Sequence, residues 1–533
     1  MCNAVFRINQ AGYVTSLPKF VGVLRAGTVT VKDSEGHPVF QVPIDSLTLD
    51  AASGDRVSLI DLGDLPAGKY TLCMDEESRS ITISDRPYSD LLRGLIKGLY
   101  YQRCGTALLP EHAGVWTHAA CHTAPARLYT DPDVRMNVQG GWHDAGDYGK
   151  YVGPGAVAVA HLLYTYLIFP GASITDLNIP ESGNGIPDLL NEARYELQWM
   201  LKMQRSDGAV YHKLTKKHFA PFIMPEQDTE TEYVMPVGQC ATAAFAACMA
   251  LASRVWKNMD PEFSKKTLHA AISAWNWLQE NPTLIPWKNP DDVHTGGYGD
   301  NSMTDELFWA GCELYAATGD PTYFDDAEFN ARQIDISQMG WRETGGLGAI
   351  CCLFTIRVLP DPEFGVWLKE RFLRAAGRIL STADQSRYGT ALATTDYIWG
   401  SNLVVLSRGM VLACAWTLTG ERKYLTCAQK QLDYLMGLNT LDVSFVTGFG
   451  EKPFMNPHHR PSGSDGIVDP VPGLVSGGPN NRFTYGITKE KLPEGTPPAR
   501  SWLDEWPSAD TNEIAIYWNS PAVFLAACLD SQS

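Results

Sequence analysis

Two hydrophobic rhythms divide the chain. Up to about residue 85 the apolar positions alternate with polar ones in short runs: Val21-Gly-Val-Leu-Arg25, Thr28-Val-Thr-Val31, Val57-Ser-Leu-Ile-Asp-Leu62 and Ser80-Ile-Thr-Ile83. Turn signals such as Ser34-Glu-Gly36 and Leu65-Pro-Ala-Gly68 separate them. A period of two between turns is the mark of half-buried strands, and the rhythm predicts a small all-β, immunoglobulin-like sandwich. It holds no acid cluster, so no chemistry is assigned to it. From Tyr88 onward the spacing changes to i, i+3, i+4, which predicts helices over 188–204, 238–256, 303–318, 365–381, 403–418 and 513–528. A local repeat pairs them: Tyr315-Ala-Ala-Thr-Gly319-Asp320-Pro-Thr-Tyr323 matches Trp416-Thr-Leu-Thr-Gly420-Glu421-Arg-Lys-Tyr424. In each, glycine ends one helix and an acidic residue opens the next. Repeated helical hairpins imply a toroid of helix pairs. The long loop regions 104–150, 286–302 and 440–512 would build the site at one end.

Composition narrows the function. With 533 residues the chain is too long for one ordinary core, and two domains are expected. A net charge of −17 argues against nucleic acid and anionic membrane as partners. Fifteen Trp and twenty-two Tyr supply many faces that can stack on sugar rings. The opening Met1-Cys2-Asn3-Ala4-Val5-Phe6-Arg7 lacks a charged and an apolar leader segment, and no apolar run reaches the roughly 18 residues that span a bilayer. The expected location is cytoplasmic, or secreted if a leader has been removed. Cys240, Cys248, Cys312, Cys351, Cys352, Cys414, Cys427 and Cys528 sit in apolar helical contexts and read as small buried hydrophobes.

Three segments carry candidate chemistry. Gly140-Gly-Trp-His143-Asp144-Ala-Gly146-Asp147-Tyr-Gly-Lys-Tyr-Val152 sets two carboxylates three residues apart among glycines, which let the backbone turn sharply. Such a pair can hold and deprotonate a water molecule, but alone it could equally cap a helix or bind a cation. Glu513 leads an apolar segment and could simply favour the helix dipole. Asn456-Pro-His458-His459-Arg460-Pro-Ser462 could bind carboxylates or hydroxyls.

Taken together and in this order, the segments resemble glycoside hydrolase family 9, the inverting β-glycanases that include many cellulases. Arg7-Ile-Asn-Gln-Ala-Gly-Tyr13 resembles the start of that family's N-terminal immunoglobulin-like domain. The Asp-Ala-Gly-Asp loop, the run from Ser444 through Gly450, Lys452 and Pro457 to His458 and Arg460, and Glu513-Ile-Ala-Ile-Tyr-Trp-Asn-Ser520 resemble its motifs. The resemblance implies an immunoglobulin-like domain over residues 1–86 and an all-α (α/α)6 barrel over 87–533. It implies Asp147 as general base, Asp144 as holder of the attacking water and Glu513 as general acid. Inversion needs acid and base on opposite faces of the sugar, roughly 6.5–9.5 Å apart. The acid must stay protonated near neutral pH, so Glu513 should titrate high. His458 and Arg460 match positions that contact sugar near the cleavage point. Trp399 resembles a stacking platform, although a core role is the alternative. In one departure, Ala509 stands where the family usually has an aromatic residue.

Metal sites follow from the same resemblance. Cys104, Cys121, His122 and His143 form a Cys2His2 set suited to structural zinc, since four protein ligands leave no open position. Ser462, Asp465 and Ile467 resemble a calcium loop, and Thr295, Gly297 and Asp300 a second one. The alternative for both is an ordinary Asp/Gly turn. The expected protein is a monomeric hydrolase of cello-oligosaccharides or soluble β-glucan. An exo-acting β-glucosaminidase or β-glucosidase of the same fold is the first rival, and a catalytically silent carbohydrate-binding protein the second.

Overall fold

The computed structural model describes residues 5–172, 176–482 and 484–532, so residues 1–4 of the expected sandwich lie outside the described residues. The alternating runs form two facing sheets. One orders the strands Phe6–Arg7, Phe20–Val23, Arg56–Asp61 and Thr48–Leu49. The other orders Tyr13–Val14, Glu77–Ser84, Gly68–Met74, Gly27–Lys32 and Pro38–Ile44. Val21, Val23, Val29, Val31, Leu72 and Ile83 meet between the sheets as a core separate from that of the helices.

Twelve helices build the second domain: α1 Ser89–Tyr101, α2 Val152–Ile168, α3 Asp188–Lys202, α4 Gln239–Trp256, α5 Pro261–Glu280, α6 Thr304–Thr318, α7 Thr322–Ala331, α8 Gly345–Ile350, α9 Pro362–Gln385, α10 Ser401–Thr419, α11 Arg422–Leu435 and α12 Ile516–Asp530. Packing sorts them into two rings. The even-numbered helices form the inner ring, with α12 on α2, α2 on α4, α4 on α6, α6 on α8 and α10 on α12. The odd-numbered helices lie outside, each against an inner partner. Sequence explains the sorting. Inner helices are apolar nearly all round: every residue of α12 is buried, and α4 is almost as fully enclosed. Outer helices such as α9 and α11 bury one stripe and expose the other. Helix α10 has the length and apolarity of a membrane span, but here its apolar surface is ring core. Glycines Gly319 and Gly420 end α6 and α10 in the left-handed region, as the repeat predicts.

The sandwich is seated on the barrel through buried polar contacts. Asn9 Nδ2 donates to Asp433 Oδ1 (2.6 Å) and to the Tyr88 hydroxyl (3.0 Å). Arg79 and Lys452 both pair with Asp442. Asp55 is a hub: its Oδ2 accepts from Tyr388 (2.6 Å) and Thr440 (2.7 Å), and its Oδ1 pairs with Arg500. Asp55→Ala therefore orphans three donors at once. The expected loss is on the order of 3 kcal/mol, since breaking a buried polar network costs the desolvation of the groups left behind. Urea denaturation followed by tryptophan fluorescence would check this, with sandwich and barrel unfolding in one transition.

Candidate active site

At one mouth of the barrel three segments are stitched together by backbone hydrogen bonds. The amide of Ile516 donates to Asp144 O (2.8 Å), that of Gly477 to Glu513 O (2.8 Å), and that of His458 to Asn512 O (2.9 Å). Arg460 grips the carbonyl of Gly146 twice, from its amide (3.0 Å) and from Nη1 (2.8 Å). Gly146 is obligatory here, because a Cβ would lie 1.8 Å from the carbonyl oxygen of His458. The close approach that glycine permits thus fixes the Asp-Ala-Gly-Asp loop against the histidine segment.

The three acids meet in one cleft of about 600 Å³, with Trp399, His458, Arg460 and Ala509 also in its wall. Asp144 and Asp147 are buried and Glu513 is half-buried. Asp144 Oδ2 accepts from the Tyr298 hydroxyl, while its buried Oδ1 has no protein partner. Asp147 Oδ2 accepts from the Gly149 amide (3.1 Å). Burial raises the carboxyl of Asp147, and the charge of Arg460 opposes the rise. Burial, then the negative charge of Asp147, pushes Glu513 up to about 8. Burial and hydrogen bonding also fix His458: its ring Nδ1 donates to Trp506 O (2.6 Å), and burial lowers it to about 4, so the ring is neutral.

The loop expected to bind a second calcium is tied down by hydrogen bonds. The oxygens of Thr295 and Gly297 are already engaged. Thr295 O accepts from Asn289 Nδ2 (2.6 Å), and its Oγ1 contacts Lys213 Nζ (3.2 Å) and Thr215 Oγ1 (2.8 Å). Gly297 O accepts from His212 Nε2 (2.8 Å). Lys213, fully buried and lowered by burial to about 7, also donates to Gly296 O (2.6 Å) and Asn289 Oδ1 (2.8 Å), so its amine holds the loop. The product of that tether is Tyr298, whose backbone is left-handed (φ 48°) and whose hydroxyl reaches Asp144 and the Tyr517 hydroxyl (3.2 Å). Sequence reasoning missed Lys213 and Tyr298, because neither belongs to an acid cluster. It also missed Phe219, Trp341 and Tyr485 in the cleft wall. Trp399 is 40% exposed at the rim, so it is no core residue.

Comparison with known proteins decides the family. Residues 88–526 match the description "Glycosyl hydrolase family 9", and residues 3–79 match "Cellulase N-terminal ig-like domain". The chain belongs to glycosyl hydrolase family 9. It is 36% identical to a cellodextrinase of Butyrivibrio fibrisolvens, over 97% of this chain and 98% of that one. It is 34% identical to a xyloglucan-specific endo-beta-1,4-glucanase of Bacteroides ovatus, over 99% and 94%. Its fold superposes on a crystal structure of a thermostable endoglucanase single mutant from Alicyclobacillus acidocaldarius with a TM-score of 0.94 and 35% identity, covering both chains completely.

In this family 9 chain the structure brings together a candidate metal centre among the described residues. The ligand atoms of Cys104, Cys121, His122 and His143 all lie within 4.8 Å of one another. His122 Nδ1 is 3.4 Å from His143 Nε2 and 3.8 Å from Cys104 Sγ. Outer partners orient the set: Asp228 Oδ2 is 3.3 Å from His122 Nε2, and Lys150 Nζ donates to Cys104 Sγ (3.3 Å). Burial raises the Cys104 thiol, but its bond to Cys121 and the charges of Lys150 and His143 outweigh burial and hold it well below the ordinary thiol range. A thiolate is the form that ligates metal.

The two loops expected to bind calcium have these local contacts. Asp465 Oδ1 accepts from the Ile467 amide (2.8 Å), an ordinary Asx turn, and Ser462 Oγ accepts from the Val471 amide (3.0 Å). Asp300 and Asp305 are charged neighbours of Glu306. Burial, then the charges of Asp305 and Asp300, raises Glu306, and the buried Asp300 Oδ2 and Glu306 Oε2 have no partner. Lys213→Met, by releasing the loop that delivers Tyr298, is expected to lower kcat/KM by about 10²-fold, the usual effect of misplacing a catalytic group by about 1 Å. Steady-state kinetics on a soluble β-glucan would check it, with Lys213→Arg retaining part of the rate.

Proposed function

We propose that this chain hydrolyses β-1,4-glucosidic bonds of cello-oligosaccharides or soluble β-glucan with inversion, in a single displacement. One observation carries the reading: a carboxyl raised to about 8 shares one cleft with two buried aspartates, one of which has an oxygen without a protein partner. In this reading Asp144 Oδ1 and Asp147 hold a water molecule, and Asp147 takes its proton as the oxygen attacks the anomeric carbon. Glu513, protonated at neutral pH, gives its proton to the departing glycosidic oxygen. Neutral His458, with Nδ1 committed to Trp506, leaves Nε2 to accept from a sugar hydroxyl. Arg460 supplies a positive charge beside Asp147 that keeps the base ionised. Trp399 and Tyr485, exposed on one rim with ring centroids 5.8 Å apart, offer a stacking face.

The Cys104, Cys121, His122 and His143 cluster suits zinc, with two sulfur and two nitrogen donors and a carboxylate behind one histidine. Zinc there would supply no reaction step. It would tie Cys104 and the 121–122 turn to His143, the neighbour of Asp144. Asp300, Asp305 and Glu306 are oxygen donors of the kind that suit calcium, and a cation would relieve their mutual repulsion.

Proton NMR of fresh products from cellopentaose shows the α-anomer first. Early β-anomer would overturn single displacement, and cleavage of glucosamine dimers alone would favour the glucosaminidase rival. Because Glu513 must be protonated, kcat/KM falls as pH rises through about 8, and Asp147→Asn moves the Glu513 titration downward by removing a neighbouring negative charge. Asp147→Ala loses about 10²–10⁴-fold in rate. Stripping metal with a chelator lowers the melting temperature, and elemental analysis finds one zinc per chain before treatment.

A further inference from the structure

The acid and the sugar platform are held by one side chain that no part of the proposed chemistry uses. Trp399 and Tyr485 are 40% and 48% exposed, and their rings tilt at 39° to each other over the cleft. Trp399 also lies beside the Glu513 side chain and favours its charged form. Tyr485 opens the short helix Gly486–Lys491, a segment remote in sequence from the acid's neighbours. What fixes it is Asp510, three residues before Glu513. Asp510 is 1% exposed. Its Oδ2 accepts from the Tyr485 amide (3.1 Å), and its Oδ1 accepts from Thr488 Oγ1 (2.5 Å) and Ser508 Oγ (3.3 Å).

All three donors are neutral. Burying a carboxylate among neutral donors is costly compared with an apolar side chain of similar size, so stability alone is a poor reason for an aspartate here. Its placement gives a better one. The Asp510 carbonyl accepts from Asn480 Nδ2 (3.0 Å), and Ser508 Oγ and Thr511 Oγ1 are 2.6 Å apart. The short turn Ala509–Asn512 is therefore locked, and Glu513 leaves it in extended conformation. One end of that locked turn aims the acid and the Asp510 side chain aims Tyr485.

We infer that Asp510 is a positioning residue that sets the register between the Trp399–Tyr485 platform and Glu513, so that a glucosyl unit stacked on the platform presents its glycosidic oxygen to the acid. The inference rests on the β-1,4-glucan reading above. It makes the platform's contribution conditional on a buried carboxylate the ligand does not touch.

The test is a double-mutant cycle read by calorimetric titration of cellopentaose, in a Glu513→Gln background that leaves the ligand intact. Asp510→Asn replaces one acceptor oxygen by a donor facing donors. It is expected to weaken binding about tenfold, a plausible share of one aromatic contact. Tyr485→Ala should weaken it similarly, and the double variant no further. In the active enzyme Asp510→Asn should raise KM and also lower kcat, because a sugar out of register presents its glycosidic oxygen poorly to Glu513. Unchanged affinity in Asp510→Asn, or losses that multiply in the double variant, would overturn the inference. Should Asp510→Asn fail to fold, Thr488→Val removes one donor and keeps the carboxylate. It should give a smaller loss that Tyr485→Ala masks, and an unmasked loss overturns the inference. Failure of Glu513→Gln alone to bind cellopentaose would overturn the substrate reading itself.

Discussion

The whole site depends on how closely two backbones approach at Gly146. No side chain fits there, because the His458 carbonyl occupies the space. That contact lets Arg460 take the Gly146 carbonyl with two hydrogen bonds and brings its charge beside Asp147. It also places His458 in register with Glu513, to which it is bridged. Base, cation, histidine and acid are thus arranged by main-chain geometry before any side-chain rotamer is chosen. A site fixed this way needs little reorganisation as charge moves during reaction, which is where electrostatic catalysis gains most.

Charge is the second constraint. Burial raises all three carboxyls, and the negative charge of Asp147 raises Asp144 and Glu513 further. Burial by itself works against the ionised form that a base needs. The asymmetry comes from the cations: Arg460 and Lys213 both favour the ionised form of Asp147, whereas Asp147 itself holds the proton on Glu513. One carboxylate kept charged becomes the cause of the other staying neutral. Two like groups acquire opposite roles from their neighbours.

Much of this was legible in the chain. The helices over 188–202, 239–256 and 304–318 fall within two residues of the periodicity, because inner-ring packing follows the apolar stripe directly. The acid pair, Glu513 and the Cys2His2 set could be named because the motifs together resemble family 9, not from spacing alone, since Cys104 and His143 lie far apart. The failures were of a different kind. Periodicity starts a helix at Glu513, but the helix begins at Ile516, since the apolar run includes three residues that pair with the Asp144 loop and the 476–477 strand. The Thr295–Asp300 loop looks like a cation turn because its glycines and aspartate are there. The group that holds its first half is Lys213, 82 residues earlier than Thr295, and no local pattern announces it. Asp510 was invisible for the same reason: its meaning lies in Tyr485 and Thr488.

The sandwich was easy to see and its relevance was not. Its turn at 50–55 does more than dock. The Ala499 amide donates to Ala52 O (2.9 Å), and Arg500 reaches both Ser53 O (2.9 Å) and Asp55. That anchors the start of a segment whose next residues work at the site. Asp504 accepts from the amides of Met455 (2.8 Å) and Asn456 (2.7 Å), and Trp506 accepts from His458. Hydrogen bonds at both ends of this segment, joined by its backbone, therefore connect the β-domain to the ring of the histidine in the cleft. Coupling of this kind needs only that the segment be held at both ends, and it gives the chain a physical reason to carry a sandwich with no chemistry of its own.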